Sequence, residues 1–198
     1  MYNHTVLFVS KVGDDIVRPI TTWSIAGLLL FSSSLVLAND KEGEIDAIAS
    51  SVVTIAQAIR KLEKRYRAVA VEVEVESWRD IFVYEVELID GEGERKIEIK
   101  LDMTSGEVLK EGITSIASWF GVEDKRQAAA DAVTKNGFGI HEAIVVAEKY
   151  VTGHIYEAEL EREKGITYVK IKFYTANGKE KAIVDVETQS IIPVLKRR

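Results

Sequence analysis

The sequence predicts an α+β protein of two tandem units, each an N-terminal amphipathic helix packed on a small antiparallel β-sheet. Three observations predict it. Apolar residues recur at helical spacing from Ile45 to Tyr66 and again from Ile140 to Val151. Each stretch gives way to period-two alternation, first with Val69, Val71, Val73 and Val75 against Glu72, Glu74 and Glu76. An Asp-x-x-Ser/Thr turn closes both strand sets, at Asp102 and at Asp185.

A chain of 198 residues holds one large domain or two small ones, and 46% hydrophobic content builds a core. Net charge is −6, with no basic block, which argues against nucleic acid and anionic membrane surfaces as partners. Lys196, Arg197 and Arg198 are too few to change this. The absence of cysteine excludes disulfides, thiolate zinc sites, thiol nucleophiles and a lipid-modified cysteine. It is compatible with an oxidising compartment as well as the cytosol.

The N-terminal segment reads as a signal peptide over residues 1–38. Trp23 to Ala38 carries no charge and is shorter than the roughly 20 apolar residues of a membrane-spanning helix. It ends on Val36-Leu37-Ala38 before polar Asn39-Asp40-Lys41-Glu42, the pattern of a cleavage site after Ala38. A buried core helix and an uncleaved anchor are the alternatives. The segment ahead of it is long, and Lys11, Asp14, Asp15 and Arg18 cancel. A start at Val17 rather than Met1 would leave a short n-region with Arg18 as its charge. The expected location is periplasmic or extracellular, with no stable membrane span after cleavage.

Residues 39–109 form the expected first unit. Ile45, Ile48, Val52, Ile55, Ile59, Leu62 and Tyr66 make one apolar stripe, read as a helix of about six turns. Arg60, Lys61, Lys64 and Arg65 sit near its C-terminal end, where the helix dipole favours cations. Strands follow at Val69–Val75, Ile81–Ile89 and Ile97–Leu101, with turns at Ser77–Asp80 and Asp90–Gly93. Residues 110–138 read as a packed connector, with Ile113, Ile116, Trp119 and Phe120 as an apolar patch and a short helix from Asp124 to Val133. Residues 139–198 form the second unit: a helix from Ile140, strands at His154–Arg162, Ile166–Tyr174 and Glu180–Val186, and a turn at Asn177-Gly178.

The halves align on one another. Ile55, Ala58 and Ile59 match Ile140, Ala143 and Ile144 at a shift of 85, Tyr84 matches Tyr168 at 84, and Asp102 and Ser105 match Asp185 and Thr188 at 83. In these residues the chain resembles the PepSY family. The first unit carries the resemblance in Ala56-x-Ala58-Ile59, Tyr84-Glu85-Val86, Asp90-Gly91 and Asp102-x-x-Ser105-Gly106-Glu107-Val108. The second carries it in Ala143-Ile144, Tyr168-Val169, Asn177-Gly178 and Asp185-x-x-Thr188, departing at Gln189, where the family pattern has glycine. The resemblance implies a protein outside the bacterial cytoplasm. It also implies kinship with the propeptide regions of secreted metallopeptidases, and a role in binding or inhibiting peptidases.

No catalytic constellation emerges. Asp102 and Asp185 are either cation or acid/base groups or, on the simpler reading, turn-makers that accept backbone N–H bonds. The histidines are His4, His141 and His154, without the spacing of a zinc site. No Gly-x-Ser-x-Gly or phosphate loop is present. Glu72, Glu74, Glu76, Glu85, Glu87, Glu157, Glu159 and Glu161 fall on one face of their strands, with Lys96, Lys100, Lys170 and Lys172 across from them. They read as a solvated sheet face or as a surface for a basic peptide or divalent cations. The expectation is therefore an exported, non-enzymatic binding or regulatory module, with no catalytic, metal or cofactor residues. It would act on a protein partner, such as a peptidase, through its sheet edge or acidic face. The alternative is a structural or envelope-associated accessory protein with no peptidase link.

Overall fold

A computed structural model describes residues 32–92, 95–116 and 123–193. The charge-free segment before residue 32, and Trp119 and Phe120 of the expected apolar patch, lie outside them. The elements are α1 (Ser32–Ser50), α2 (Ile55–Tyr66), β1 (Ala68–Trp78), β2 (Ile81–Asp90), β3 (Arg95–Asp102) and β4 (Val108–Ser115). They continue with α3 (Glu123–Asn136), α4 (Ile140–Ala147), β5 (His154–Glu163), β6 (Ile166–Thr175), β7 (Gly178–Asp185) and β8 (Ser190–Ile191). The fold class is α+β, as the periodicities predict.

The single helix expected from Ile45 to Tyr66 is two. The chain breaks between Ser50 and Ile55, and the break satisfies its own polar groups. Ser50 and Ser51 hydroxyls bond back to the carbonyls of Asp46 and Ile48 at 2.7 and 2.8 Å, ending α1. Thr54 caps α2: its hydroxyl accepts from Gln57 N–H at 3.2 Å, and the Gln57 side chain accepts from Thr54 N–H at 2.9 Å. Val52 and Val53 N–H both donate to the Met103 carbonyl at 3.2 Å. Val52 kept the stripe in phase on paper but is 70% exposed. Beyond the break, α2 buries Ile55, Ala58, Ile59 and Leu62. Each of its large apolar side chains contributes about 1.5–3 kcal/mol by leaving water.

The strands form one eight-stranded antiparallel sheet in the order β4-β3-β2-β1-β5-β6-β7-β8. The two sets expected to build separate sheets meet where β1 pairs β5 through Glu72↔Glu159, Val73↔Ala158 and Glu74↔Glu157. One face carries Val73, Tyr84, Val86, Leu88, Ile97, Ile99, Leu101, Ala158, Val169, Ile171 and Phe173, all buried. α2 and α4 pack on the strands and on each other, and α3 packs on β1 and β5. One continuous core results.

The halves correspond more closely in space than in the sequence alignment, with one correction. Both hairpin strands carry a bulge, between Ala70 and Glu72 in β1 and between Ile155 and Glu157 in β5, at a constant offset of 85. The two-residue hairpin turns, Arg79-Asp80 and Lys164-Gly165, keep that offset and share positive φ. Tyr84 pairs Val75 and Tyr168 pairs Glu161. At the same offset, Tyr84 therefore corresponds to Val169, and Tyr168 to Val83. A one-residue slip exchanges the faces of a strand. Tyr84 is buried, with its hydroxyl bonded to Ser51 Oγ at 3.3 Å, whereas Tyr168 lies on the charged face and donates to Glu161 at 2.6 Å.

The first strand set also runs further than Leu109. β4 pairs β3 from Val108 to Ser115, so the stretch expected to begin the connector is an edge strand, and Ile113 is 53% exposed rather than in a packed patch. α3 matches the expected connector helix and buries Ala129, Ala130 and Val133. α4 stops at Ala147, short of the expected Val151.

Gly106 and Gln189 occupy the same place after the two Asp turns, with φ of 70° and 56°. At Gly106 a Cβ would also approach Val53 to 2.9 Å. Gln189 takes the left-handed conformation with a side chain, at a cost of roughly 1–2 kcal/mol. Gln189→Gly should therefore stabilise the protein by about 0.5–1 kcal/mol after the glycine's greater unfolded-state entropy is counted. Urea unfolding should show a higher midpoint at an unchanged slope; a lower midpoint would mean that the glutamine makes a compensating contact.

Candidate functional site

The most chemically dense surface is the sheet face opposite the core. Period-two alternation puts Glu72, Glu74 and Glu76 of β1 there, and the register sets them against Glu87, Glu85 and Val83 of β2. Across the seam, Glu72 and Glu74 face Glu159 and Glu157 of β5. Four glutamates thus meet at the join between the halves, an arrangement that repels unless cations intervene.

Four cations do so. Arg126 of α3 donates to Glu72 at 2.8 Å and also to Glu87, bridging β1 and β2. Lys100 of β3 bonds both Glu76 and Glu85. Lys170 of β6 bonds Glu159 at 2.7 Å and also Glu161, and Lys172 bonds Glu157 at 2.6 Å. At the outer flank Lys96 pairs Glu87 at 3.2 Å and Glu98 at 2.7 Å. The Lys100 side chain is only 11% exposed. Burial works against its charge, but the bonds from Glu76 and Glu85 outweigh that and hold its pKa above the ordinary lysine value. Lys170 behaves in the same way. The Tyr168 hydroxyl is pushed up to about 12, first by its bond to Glu161 and then by burial.

Glu74 is the exception: it makes no ion pair or hydrogen bond among the described residues. Burial, followed by the charges of Glu72, Glu157, Glu85 and Glu76, raises its pKa. Glu72 is also raised, by burial first, against the pull of Arg126. On the core side Glu63 of α2 is a further raised carboxyl. Burial dominates there, while its Oε1 accepts the Ala70 N–H at 3.0 Å beside the β1 bulge.

The two turn aspartates do the same local work. Asp102 Oδ1 accepts from Thr104 and Ser105 N–H at 2.6 and 3.0 Å, and Asp185 Oδ1 accepts from Glu187 and Thr188 N–H at 2.9 and 2.7 Å. These are Asx turns. His141 bonds Glu142 at 3.2 Å at the start of α4, while His154 starts β5; the two are not brought together. His4 lies outside the described residues. Among the described residues no group of three or more His, Cys, Asp or Glu side chains could hold a metal ion. No helix there is long and apolar enough to cross a membrane.

Sequence reasoning did not find two features. Arg126, in the connector, gave no sign that it would reach a sheet face. Tyr156 and Tyr174 stack at 4.2 Å, with Lys179 over both rings at 4.7 and 5.1 Å. Tyr174 donates to Glu44 of α1 at 3.0 Å, and Lys41 lies 5.5 Å from the same ring, so this cluster ties α1 to the sheet in addition to the packing of Ala47 and Ile48 on the core. The Tyr156–Tyr174 contact depends on the β5 bulge, which sequence spacing does not reveal.

The sheet also has two edges. β4 is exposed along most of its length, with Leu109 and Ile113 outward. At the other end β8 pairs only Val184 and Asp185, and no other described residue pairs β7 on that side from Gly178 to Ala182.

Residues 52–111 match the PepSY family model, described as peptidase propeptide and YPEB domain. The match spans α2 to β4, most of one half of the sheet. No curated protein matches the chain. A crystal structure of a candidate lipoprotein from Clostridium difficile 630 is similar at 20% identity and a TM-score of 0.43, covering 75% of this chain and 95% of that one.

Glu74 supplies a test of the face. A carboxyl with a folded pKa above its unfolded value near 4.5 binds its proton more tightly in the folded state. Its contribution therefore favours folding below the unfolded pKa and turns progressively against it as pH rises through the folded one. Glu74→Gln should stabilise the protein by about 0.2–1 kcal/mol near neutral pH, the range of a like-charge cross-strand pair, and by less at about pH 3.5. Denaturant titrations at the two pH values check this; equal shifts at both would remove ionisation as the cause.

Proposed function

We propose that the chain is an exported, non-enzymatic protein-binding module that modulates a peptidase. The observation that carries this reading is the match of residues 52–111 to a family model described by peptidase propeptides. The second half supports an extension of it. α4 and β5–β7 follow α2 and β1–β3 in element order, bulge position and hairpin turn, so we read the chain as two copies of one unit. The chemistry of the sheet face agrees with binding rather than catalysis. Seven of the eight glutamates named above are engaged by lysine, arginine or tyrosine donors, which makes that face a cross-linked surface. Recognition is then left to the strand edges, where main-chain groups are unpaired.

Export rests on the segment ending at Ala38. Among the described side chains, Lys41 and Glu44 tie α1 to the Tyr174 ring and hydroxyl, and Ala47 and Ile48 pack against the core, all past the expected cut. A cut after Ala38 therefore leaves this docking intact.

The chain, immobilised and exposed to envelope and secreted fractions of its source cells, should recover a peptidase. The activity of that peptidase should fall or rise as the chain is added to saturation. Unchanged activity at saturation would end the peptidase reading, and recovery of envelope structural components alone would support an accessory role instead. N-terminal sequencing of the exported protein should begin at Asn39.

A further inference from the structure

We propose that the cavity at the end of the β1–β5 seam is a binding site for an apolar α-amino group, carried by a free amino acid or by the N-terminal residue of a peptide. This goes beyond the peptidase reading and does not depend on it.

The cavity lies where the seam stops. β1 and β5 pair from Glu72 to Glu74, and the two strands share no pair beyond Glu74↔Glu157. There a space of about 290 Å³ is bordered by both halves. The α1–α2 break and Tyr84 form one side, and the end of α4 and the start of β5 form the other. Its apolar walls are Ile48, Ile55, Ile144 and Ile155. Ligand sites favour junctions of this kind, and the volume is at the small end of their range, which suits one residue rather than an extended chain.

The polar groups define the ligand. Among the described residues no lysine or arginine lines the cavity, and one carboxylate, Glu148, does. The repeat shows why that carboxylate is available. At the offset of 85, Glu148 corresponds to Glu63, and Ile155 to Ala70. Glu63 lies inside α2 and accepts the Ala70 N–H at 3.0 Å. In the second half α4 stops at Ala147, so Glu148 falls just past its end. Its side chain has no hydrogen bond or ion pair among the described residues. On the inner wall Tyr84 is buried, and its hydroxyl donates to Ser51 Oγ at 3.3 Å, long against the roughly 2.7–2.8 Å usual for two hydroxyls. The same oxygen accepts no bond among the described residues. An ammonium carries three donors and a positive charge, which complements a phenol oxygen and an unpaired carboxylate. Ile55 and Ala56, in the first turn of α2, also line the cavity, and their N–H groups have no acceptor among the described residues. They suit the carbonyl that follows an α-ammonium group, and the isoleucine walls suit an apolar side chain.

The probes are leucine and leucyl-glycyl-glycine, each with its N-acetylated form, and glycine and triglycine. Amide NMR of the labelled full-length chain should show saturable shifts at Ala56, Glu148 and Ile155 with leucine, with the leucyl peptide, or with both. Binding by leucine alone identifies a free amino acid as the source, and tighter binding of the peptide identifies a peptide N-terminus. Acetylation removes the charge and should weaken binding at least tenfold. Glycine and triglycine lack the apolar side chain and should also bind at least tenfold more weakly. Glu148→Gln keeps the shape of the side chain and should weaken binding roughly tenfold. It should leave the urea midpoint of the free chain unchanged, because Glu148 is exposed and unbonded. A ligand held by both halves should raise that midpoint as its concentration rises. Absence of saturable shifts with both leucyl ligands, equal binding of the acetylated forms, shifts confined to other residues, or full binding by Glu148→Gln would each overturn the proposal.

Discussion

The sheet depends on the pairing of β1 with β5, and that pairing is short. Three residue pairs join the halves, and two of them set glutamate against glutamate. Only Val73↔Ala158 is apolar, and both of those side chains are fully buried. Strand pairing alone gives little reason for the halves to stay together. Three things compensate: the core side, where α2 packs on α4; α3, which packs on both strands; and the cations on the seam glutamates, Arg126 on Glu72, Lys170 on Glu159 and Lys172 on Glu157. Arg126 links the last two, because its helix packs at the seam while its guanidinium bridges Glu72 and Glu87. Removing it would leave Glu72 and Glu87 without their shared cation beside a seam of only three residue pairs.

The bulges belong to the same arrangement. An extra residue increases local twist and re-aims the side chains around it. In β1 it lets Ala70 and Val71, adjacent in sequence, both be buried, and it leaves the Ala70 N–H to the Glu63 carboxylate. In β5 the corresponding residue is Tyr156, which stacks on Tyr174. One geometric device therefore serves the core in the first half and the docking of α1 in the second. Its recurrence at the same offset is the strongest internal evidence that the halves share one plan, stronger than any identity between their side chains.

Much of this was legible in the sequence because it rests on local periodicity. The strands from Val69 to Leu101 and from His154 to Val186, the α2 stripe and the two Asp turns all follow from spacing and side-chain chemistry. The failures share a different cause, since each is settled by contacts far away in the chain. Val52 keeps helical phase, and that spacing masks the local sign of a new helix start, the Thr54-x-x-Gln57 capping box; the Val52 N–H bonds the distant Met103 carbonyl. β4 reads as Lys110-Glu111-Gly112-Ile113, too polar for a strand until β3 is present to pair it. The Tyr84–Tyr168 match paired like residues across opposite faces, an error that period two makes easy. On the candidate site, the lysine–glutamate ladder was visible, whereas the reach of Arg126 and the Tyr156–Tyr174 stack were not. Both are set by where segments distant in the chain meet.

The two sheet edges show how small a local change separates a long edge strand from a short one. After Asp102 the chain passes through Gly106 with left-handed φ and no side chain, lies against Val53, and runs on as eight residues of β4. After Asp185 it passes through Gln189 in the same conformation, pairs for two residues and reaches Pro193. The turn is the same in both halves, down to the two N–H bonds on each aspartate. What differs is the glycine, which lets the first turn sit tightly on α2 with Lys61 bonded to the Gly106 carbonyl at 2.5 Å. The two strand sets therefore part company not at the aspartate turn, which they share, but in the residues that follow it.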